Sequence, residues 1–231
     1  MRLHRFYVLQ PLGEEVVIDD VSLIKQWTKV FRYKKGDLVI LFDGEGSDAT
    51  YELEEVSPKS TVLSRKSVSP SFIPKVKVTL YLSIIKKDNF ELAVQKATEL
   101  GVSTIIPVLS ERSEKKNISD ERLQKIAIES SEQCGRGDVP TIMPVIRLKE
   151  ILDTPLPHDS SYVLQMENKL LSKEKGDHRN IGLFVGPEGG WSDAELELFS
   201  EKNLKAVSIS ETTLRAETAA IVACAFSLEK K

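Results

Sequence analysis

The feature that most constrains the fold is a change of pattern near residue 75, after which strand-like runs alternate with helix-like segments. Residues 76–85 form a long apolar run. Asp88 is the predicted cap of a helix that starts near Phe90. In residues 90–100 apolar positions recur near helical spacing, and Gly101 stands where a helix would end. Further strands are predicted over 103–109, 162–166, 181–185 and 206–209, and further helices over 119–134 and 214–228. This alternation predicts an α/β domain over 75–231.

Residues 1–70 have a different pattern, with short strand-like runs separated by turn residues. Such runs lie at 37–43, 50–56 and 61–64, and the turn Asp43-Gly44-Glu45-Gly46 is typical of a hairpin. Their spacing predicts a small β-barrel domain over 1–70. Two prolines in residues 69–74 predict a linker between the domains.

Composition excludes several classes of protein. Lys and Arg number 32 against 35 Asp and Glu, a net charge of −3, so the chain is not a polybasic binder. One positive face would still suffice for nucleic acid. Two distant cysteines and three isolated histidines indicate neither a disulfide framework nor a metal site. We find no signal-peptide or membrane-span pattern, and expect a cytoplasmic protein without metal.

The most distinctive motif is the glycine-rich run Gly186-Pro187-Glu188-Gly189-Gly190, which follows a predicted buried strand. Its glycines allow positive φ and close approach of the backbone to a ligand. Ligands of α/β sheets gather at the carboxyl ends of strands, where this run lies. A plain strand-to-helix turn fits the same pattern. The run is neither a phosphate loop nor a dinucleotide fingerprint.

Helix starts follow the last two strands. Ser192 and Glu195 form an S-x-x-E capping box. In the last helix Glu217 suits the helix dipole near the N-terminus, whereas Arg215 does not. Arg215 therefore indicates an acidic or phosphate partner, with a solvated surface arginine as the alternative.

Together the run at 186–190 and Leu214-Arg215-Ala216-Glu217-Thr218-Ala219 resemble the 16S rRNA uridine-N3 methyltransferases of the SPOUT superfamily. The resemblance covers nearly the whole chain, because further matches occur in the same order. These are Arg5-Phe6-Tyr7, the segments 30–37, 41–44 and 95–102, Ser110-Glu111-Arg112-Ser113, and the segments 124–126 and 132–136. Several ordered motifs are more specific than one short motif.

The resemblance implies a PUA-like β-barrel, followed by an α/β methyltransferase domain with a C-terminal trefoil knot. It also implies a homodimer, and S-adenosylmethionine as the cofactor. The cofactor pocket is expected to be formed by two loops, with these residues: Val185, Gly186, Pro187, Glu188, Gly189, Gly190, Ile209, Ser210 and Leu214. The family usually has Leu-Gly-x-Arg where this chain has Ile209-Ser210-Glu211-Thr212. Ser210 stands where the family has glycine. Because serine has a β-carbon, we expect Ser210 to have a negative φ.

For the reaction, we hypothesise that Arg215 stabilises negative charge on the uracil or on an adjacent phosphate, with Glu217 or Glu188 orienting it. The rRNA of the small ribosomal subunit is the expected partner. Basic residues near aromatic ones suit single-stranded RNA. The candidate RNA-binding residues are Arg5, Arg32, Lys34, Arg112 and Arg136. Ordinary solvated or salt-bridged surface residues are the alternative for this group.

Two other functions fit the same residues. A related SPOUT enzyme would methylate another RNA position, such as a ribose 2′-OH. A protein of a different class, an rRNA-binding assembly factor, would bind RNA without transferring a methyl group. The identity of a methylated nucleoside, or its absence, distinguishes the three.

Overall fold

The computed structural model describes residues 3–113, 118–166, 168–174 and 176–229. The chain divides into two compact units. The first comprises Met1–Ile73 and Ser131–Asp138, and the second comprises Pro74–Ser130 and Val139–Lys231. The first unit therefore includes eight residues from the middle of the chain.

The first unit is built on a five-stranded sheet. Its strands are β1 (Arg5–Tyr7), β2 (Glu15–Ile18), β3 (Leu38–Phe42), β4 (Ser47–Val56) and β5 (Thr61–Pro70). The order is β1-β3-β4-β5-β2, and only the β1–β3 pair is parallel. Alternate residues of β4 are buried, which explains the period-2 pattern of the sequence. The predicted β3–β4 hairpin is confirmed.

A helical segment in this unit was not predicted. Helix α1 (Val21–Lys25) starts at Asp20, whose carboxylate accepts hydrogen bonds from the amides of Ser22 and Leu23. It continues as a π-helix over Gln26–Phe31. Trp27 from this π-helix is fully buried in the core of the unit. Trp27 is therefore a packing residue of the core of this unit.

The predicted linker at 69–74 is wrong over its first residues. Ser69 and Pro70 belong to β5 and pair with Asp48 and Ser47 of β4. Within the described part of the chain, β2 pairs only with Thr61–Ser64, so the far end of β5 has a free edge there. Proline is tolerated at such an edge because no ladder hydrogen bond is lost.

The second unit contains a parallel sheet, which confirms the predicted α/β class. Its strands run in the order β12-β10-β11-β6-β7-β8, and β9 also pairs with β7. The pairs are parallel. In chain order the elements are β6 (Lys77–Ser83), α2 (Lys87–Leu100), β7 (Thr104–Leu109), α3 (Asp120–Cys134), β8 (Thr141–Ile142), β9 (Ile146–Arg147), α4 (Leu148–Leu152), β10 (Ser160–Leu164), α5 (Leu171–Glu174), β11 (Asn180–Val185), α6 (Asp193–Glu201), β12 (Lys205–Val207) and α7 (Ala216–Leu228).

The sheet of the second unit is covered on both faces. One core cluster joins Leu80 and Leu82 of β6 to α2 and α7, and the other joins Tyr81 and Phe184 to α4 and α6. Burial on both faces explains why these strands are continuous apolar runs. No described helix has the length and hydrophobicity needed to cross a membrane. The trefoil knot stays a prediction.

Local end signals of the helices are largely confirmed. The capping box of α6 forms at Ser192 and Glu195, and Gly101 ends α2 with a φ of 109°. Helix α7 packs on α2 through small residues such as Ala220. One end signal was predicted wrongly, because α2 begins at Lys87 and Lys86 takes the cap position without a side-chain bond. Asp88 lies instead in the first turn of α2.

Candidate functional site

The second unit has a cavity of about 530 Å³ at the carboxyl ends of three neighbouring strands, β10, β11 and β12. Three loops line it, because the carboxyl ends of parallel strands meet at the same edge of a sheet. They contribute Leu164, Gln165 and Met166 after β10, residues 185–188, 190 and 191 around the end of β11, and residues 207–209 and 212–216 around the end of β12. Leu196 and Ala219 complete the lining.

The glycine-rich loop is one wall of this cavity. Gly186 lies against the indole ring of Trp191, and a β-carbon at position 186 would come within 3.1 Å of that ring. Gly190 has a φ of 67°, and its amide donates a hydrogen bond to the carbonyl of Pro187 at 2.9 Å. A side chain at position 190 would therefore be strained, and one at position 186 would require the Trp191 ring to shift. The structure favours a ligand-facing loop over an exposed turn.

The structure brings together most residues expected to bind the cofactor. Seven of the nine line the cavity, namely Val185, Gly186, Pro187, Glu188, Gly190, Ile209 and Leu214. Gly189 and Ser210 are not among the lining residues. The Gly189 carbonyl instead accepts a hydrogen bond from Arg112 at 2.9 Å.

The altered loop after β12 is held by serine and threonine hydroxyls. The Ser210 hydroxyl accepts a hydrogen bond from the Thr212 amide at 3.1 Å, and the Ser208 hydroxyl donates one to the Ser210 carbonyl at 2.7 Å. Among the described residues other than glycine, only Arg32 and Asn203 have a positive φ. The φ of Ser210 is therefore not positive, as its β-carbon requires. This loop therefore forms without the glycine that the family usually has there.

Of the three residues predicted to be catalytic, two are exposed and one is buried. Arg215 is exposed, lines the cavity and takes the cap position of α7. Glu188 is exposed and lines the same cavity. Glu217 is buried and is not a lining residue; its Oε2 has no hydrogen-bond partner among the residues that the structure describes. The geometry thus places a cation and a carboxylate at the cavity, and a second carboxylate in the buried first turn of α7.

Sequence reasoning missed the loop after β10 and the role of Trp191. The Trp191 indole donates a hydrogen bond to the Leu164 carbonyl at 3.3 Å, which joins the loops after β11 and β10. Its ring also contacts Phe199 edge-on, with centroids 4.9 Å apart. Trp191 is therefore a packing residue, as its type suggests, and a wall of the cavity as well. The β10 loop lines the cavity because β10 lies between β12 and β11 in the sheet, and local sequence patterns do not show this strand order.

The predicted RNA-binding residues of the first unit fall into two groups. Arg5 and Arg136 are buried and form ion pairs with Asp48 and Asp138. The Arg5 guanidinium also donates to the Ser131 carbonyl and lies over the Phe42 ring at 3.5 Å. These contacts use all three of its nitrogens. Arg5 is therefore held within the unit by all of its donor nitrogens, and Arg136 is held by its ion pair with Asp138. An RNA contact of either arginine stays a prediction.

Arg32 and Lys34 form the second group, because both are exposed. They flank Tyr33, whose ring stacks on Phe31 with centroids 5.4 Å apart. The hydroxyl of Tyr33 lies 2.5 Å from Nδ1 of the exposed His4. Burial and, secondarily, Asp37 raise the pKa of Tyr33, so its hydroxyl remains protonated at neutral pH. We define the aromatic–basic patch as His4, Phe31, Arg32, Tyr33 and Lys34.

Replacing Arg5 tests its structural role. Arg5→Met leaves Asp48 without its guanidinium partner in a poorly solvated position, so the free energy of unfolding should fall by about 2 kcal/mol. Urea denaturation followed by circular dichroism measures the change. Lys59→Met, at an exposed turn of the same unit, is the control. Unchanged stability with weakened RNA binding would instead restore the RNA-binding role.

Comparison with known proteins identifies relatives of both units. The family model described as an RNA methyltransferase domain matches residues 73–227, and the model described as an RNA methyltransferase PUA domain matches residues 28–64. Ribosomal RNA small subunit methyltransferase E of Rickettsia conorii is 32% identical, over 97% of this chain and 95% of the relative. The Bacillus subtilis protein with the same description is 30% identical, over 84% and 82%.

A solved structure agrees with these sequence matches. It is the crystal structure of a ribosomal RNA small subunit methyltransferase E from Neisseria gonorrhoeae bound to S-adenosyl methionine. The similarity has a TM-score of 0.88 with 29% identity, and it covers 97% of this chain and 96% of the other. The likeness therefore extends over both units.

Proposed function

Because the chain belongs to the ribosomal RNA small subunit methyltransferase E family, we propose that it transfers a methyl group from S-adenosylmethionine to N3 of one uridine in 16S rRNA. The observation that carries the proposal is the cavity at the ends of β10, β11 and β12, where the glycine-rich loop and Arg215 meet. The proposed substrate, rRNA, is taken from the name of the relatives. The proposed methyl donor is the ligand bound in the Neisseria structure.

The residues of the cavity fit S-adenosylmethionine. Its volume of about 530 Å³ lies in the usual range of small-molecule sites, ~300–1,000 Å³. Apolar side chains such as Leu164, Met166 and Ile209 can cover the faces of an adenosine group. The glycine-rich loop lets the backbone approach closely, so main-chain groups can bind polar edges. We propose that the loops after β10, β11 and β12 hold the cofactor.

When bound, S-adenosylmethionine supplies an electrophilic methyl group on a sulfonium. The protein must then align uridine N3 and stabilise the negative charge that develops on the uracil as the N3 proton leaves. We assign this charge stabilisation to Arg215, which is exposed and lines the cavity. We propose that Glu188, on the opposite loop of the same cavity, orients Arg215. Buried Glu217 is assigned a positioning role at the start of α7.

For the RNA contact of the first unit, we propose the aromatic–basic patch. Its exposed cations, Arg32 and Lys34, can contact phosphates, and the Phe31–Tyr33 pair offers aromatic rings to unpaired bases. Arg112 of the second unit is exposed and stays a proposed RNA contact. The overall charge of −3 means that affinity depends on such local cations.

Removing the patch cations should lower the salt dependence of RNA binding. For Arg32→Ala/Lys34→Ala, the slope of log K against log salt concentration should become shallower by about 1.4–1.8, or ~0.7–0.9 for each lost phosphate contact. Filter binding to small-subunit RNA at several salt concentrations measures the slope. Lys59→Ala, an exposed lysine of the same unit, should leave it unchanged. A double variant with the parental slope would remove the patch from the interface.

We further propose that the enzyme is cytoplasmic and acts as a homodimer; the family resemblance implies the dimer. Sedimentation equilibrium should give twice the chain mass of 25.9 kDa. A mass of one chain at micromolar concentration would contradict the dimer.

The proposed reaction is tested by incubating the protein with S-adenosylmethionine labelled in its methyl group and unmodified ribosomal RNA. Label should enter small-subunit RNA, either assembled or naked, and large-subunit RNA should stay unlabelled. Transfer to large-subunit RNA would replace the proposed substrate. RNA binding without transfer, in any of these preparations, would favour the assembly-factor alternative.

A further inference from the structure

The glycine-rich loop is held from outside the cavity by a neighbouring loop. Residues 110–113 follow β7 and form a tight turn, in which the Ser110 amide donates to the Ser113 hydroxyl at 3.0 Å and the Ser113 amide donates to the Ser110 carbonyl at 3.2 Å. Ser110 is buried. The turn is therefore a fixed support that lies next to the cavity loop.

Glu195 ties this turn to the start of α6. Its carboxylate is buried and uses both oxygens: Oε1 accepts the amide of Glu111 at 2.8 Å, and Oε2 accepts the amide of Ser192 at 2.8 Å. The second bond belongs to the capping box that the sequence predicted. The first joins the turn to a residue of α6 that lies 84 positions further along the chain, and a capping box alone does not require it.

Arg112 ties the same turn to the cavity wall. Its Nη1 donates to the carbonyl of Gly189 at 2.9 Å and to that of Trp191 at 3.3 Å. Its aliphatic stem runs beside Gly189, so a β-carbon there would come within 3.4 Å of Cδ. Charge-assisted bonds to carbonyls on both sides of Gly190 restrain the glycine-rich part of the wall.

We propose that Arg112 and Glu195, with the 110–113 turn between them, form a latch that holds the glycine-rich loop in its cofactor-binding conformation. Both are positioning residues. The inference deepens the proposed function, because it assumes that this cavity takes S-adenosylmethionine. Three glycines in five residues would otherwise lose much conformational freedom when the ligand binds. Prior ordering of the loop removes that entropic cost from binding.

The latch predicts an effect in the absence of RNA. Arg112→Met keeps the length of the side chain and removes its donors. If the released loop is in the binding conformation a tenth of the time, affinity for S-adenosylmethionine falls about tenfold. Calorimetry without RNA should show this loss, and Arg112→Lys, which keeps one cationic donor, should lose less. In turnover assays KM for the cofactor should rise, while kcat at saturation stays within about threefold.

Hydrogen exchange tests the latch without any cofactor. The Gly190 amide, bonded to Pro187 in the parent protein, should exchange faster in Arg112→Met. In Glu195→Gln only one acceptor oxygen remains for two amides, so the Glu111 amide should exchange faster and cofactor affinity should fall. Matched controls are Arg122→Met and Glu197→Gln, exposed residues of α3 and α6. Both should behave as the parent protein.

The outcomes separate the latch from the proposed function. If Arg112→Met keeps the parental cofactor affinity and the parental exchange rate of the Gly190 amide, the latch is overturned. If, in addition, this variant binds RNA more weakly, Arg112 is an RNA contact only. If the parent protein itself fails to bind S-adenosylmethionine, the proposed function fails. The exchange of Gly190 in Arg112→Met still decides whether the loop is latched.

Discussion

Arg215→Ala should lower kcat for methyl transfer by about 10²–10³-fold, while affinity for S-adenosylmethionine stays within about threefold. Arg215 is the exposed cation that lines the cavity, and its proposed task is to stabilise charge that appears only as uridine N3 is deprotonated. Loss of one such donor typically costs this much in rate. Single-turnover transfer with saturating RNA and cofactor measures the change, and calorimetry measures cofactor affinity.

Two variants control this result. Arg215→Lys keeps the charge but not the planar guanidinium, so it should recover part of the rate. Arg122→Ala removes an exposed arginine from α3 of the same unit and should retain the parental rate. Transfer by Arg215→Ala at more than about half of the parental rate would exclude Arg215 from the chemistry.

Trp191→Ala should remove cofactor binding and also destabilise the second unit. The indole packs against Gly186 and Phe199 and donates to the Leu164 carbonyl, so its loss opens a space between the core and the cavity. Truncation of a buried tryptophan costs about 3–5 kcal/mol. For a chain of this length, the melting temperature should fall by roughly 10 °C. Thermal denaturation and calorimetry measure the two effects.

Trp191→Phe separates packing from hydrogen bonding. A phenyl ring retains most of the contact with Phe199 but cannot donate to Leu164, so stability should largely return while cofactor affinity stays reduced. Trp27→Phe, in the core of the first unit, should leave cofactor affinity unchanged. Parental affinity in Trp191→Ala would mean that the cavity wall does not contribute to binding.

Local sequence signals were sufficient for much of the second unit. Strands buried on both faces are continuous apolar runs, and the S-x-x-E box and Gly101 mark helix ends through hydrogen bonds within a few residues. The glycine-rich loop could also be located, since positive φ at Gly190 depends on residue type. Signals of this kind act between neighbours in the chain.

Features that depend on distant residues could not be predicted. Strand order brings Leu164 beside Trp191, and nothing near either residue encodes that pairing. Arg5 is buried because Asp48, 43 residues away, neutralises it, whereas its sequence neighbours suggest an exposed basic cluster. Glu195 also has a distant partner that could not be predicted. Its capping role accounts for the bond from the Ser192 amide but not for the bond from the Glu111 amide.

The most direct test of the central claim is the identity of the methylated nucleoside. Small-subunit RNA treated with the protein and S-adenosylmethionine is digested to nucleosides and analysed by mass spectrometry, with Arg215→Ala treated in parallel. The account predicts N3-methyluridine at one site, formed by the parent protein and nearly absent with Arg215→Ala. A ribose-methylated nucleoside, or a methyl group on another base, would contradict the assignment of uridine N3 as the acceptor.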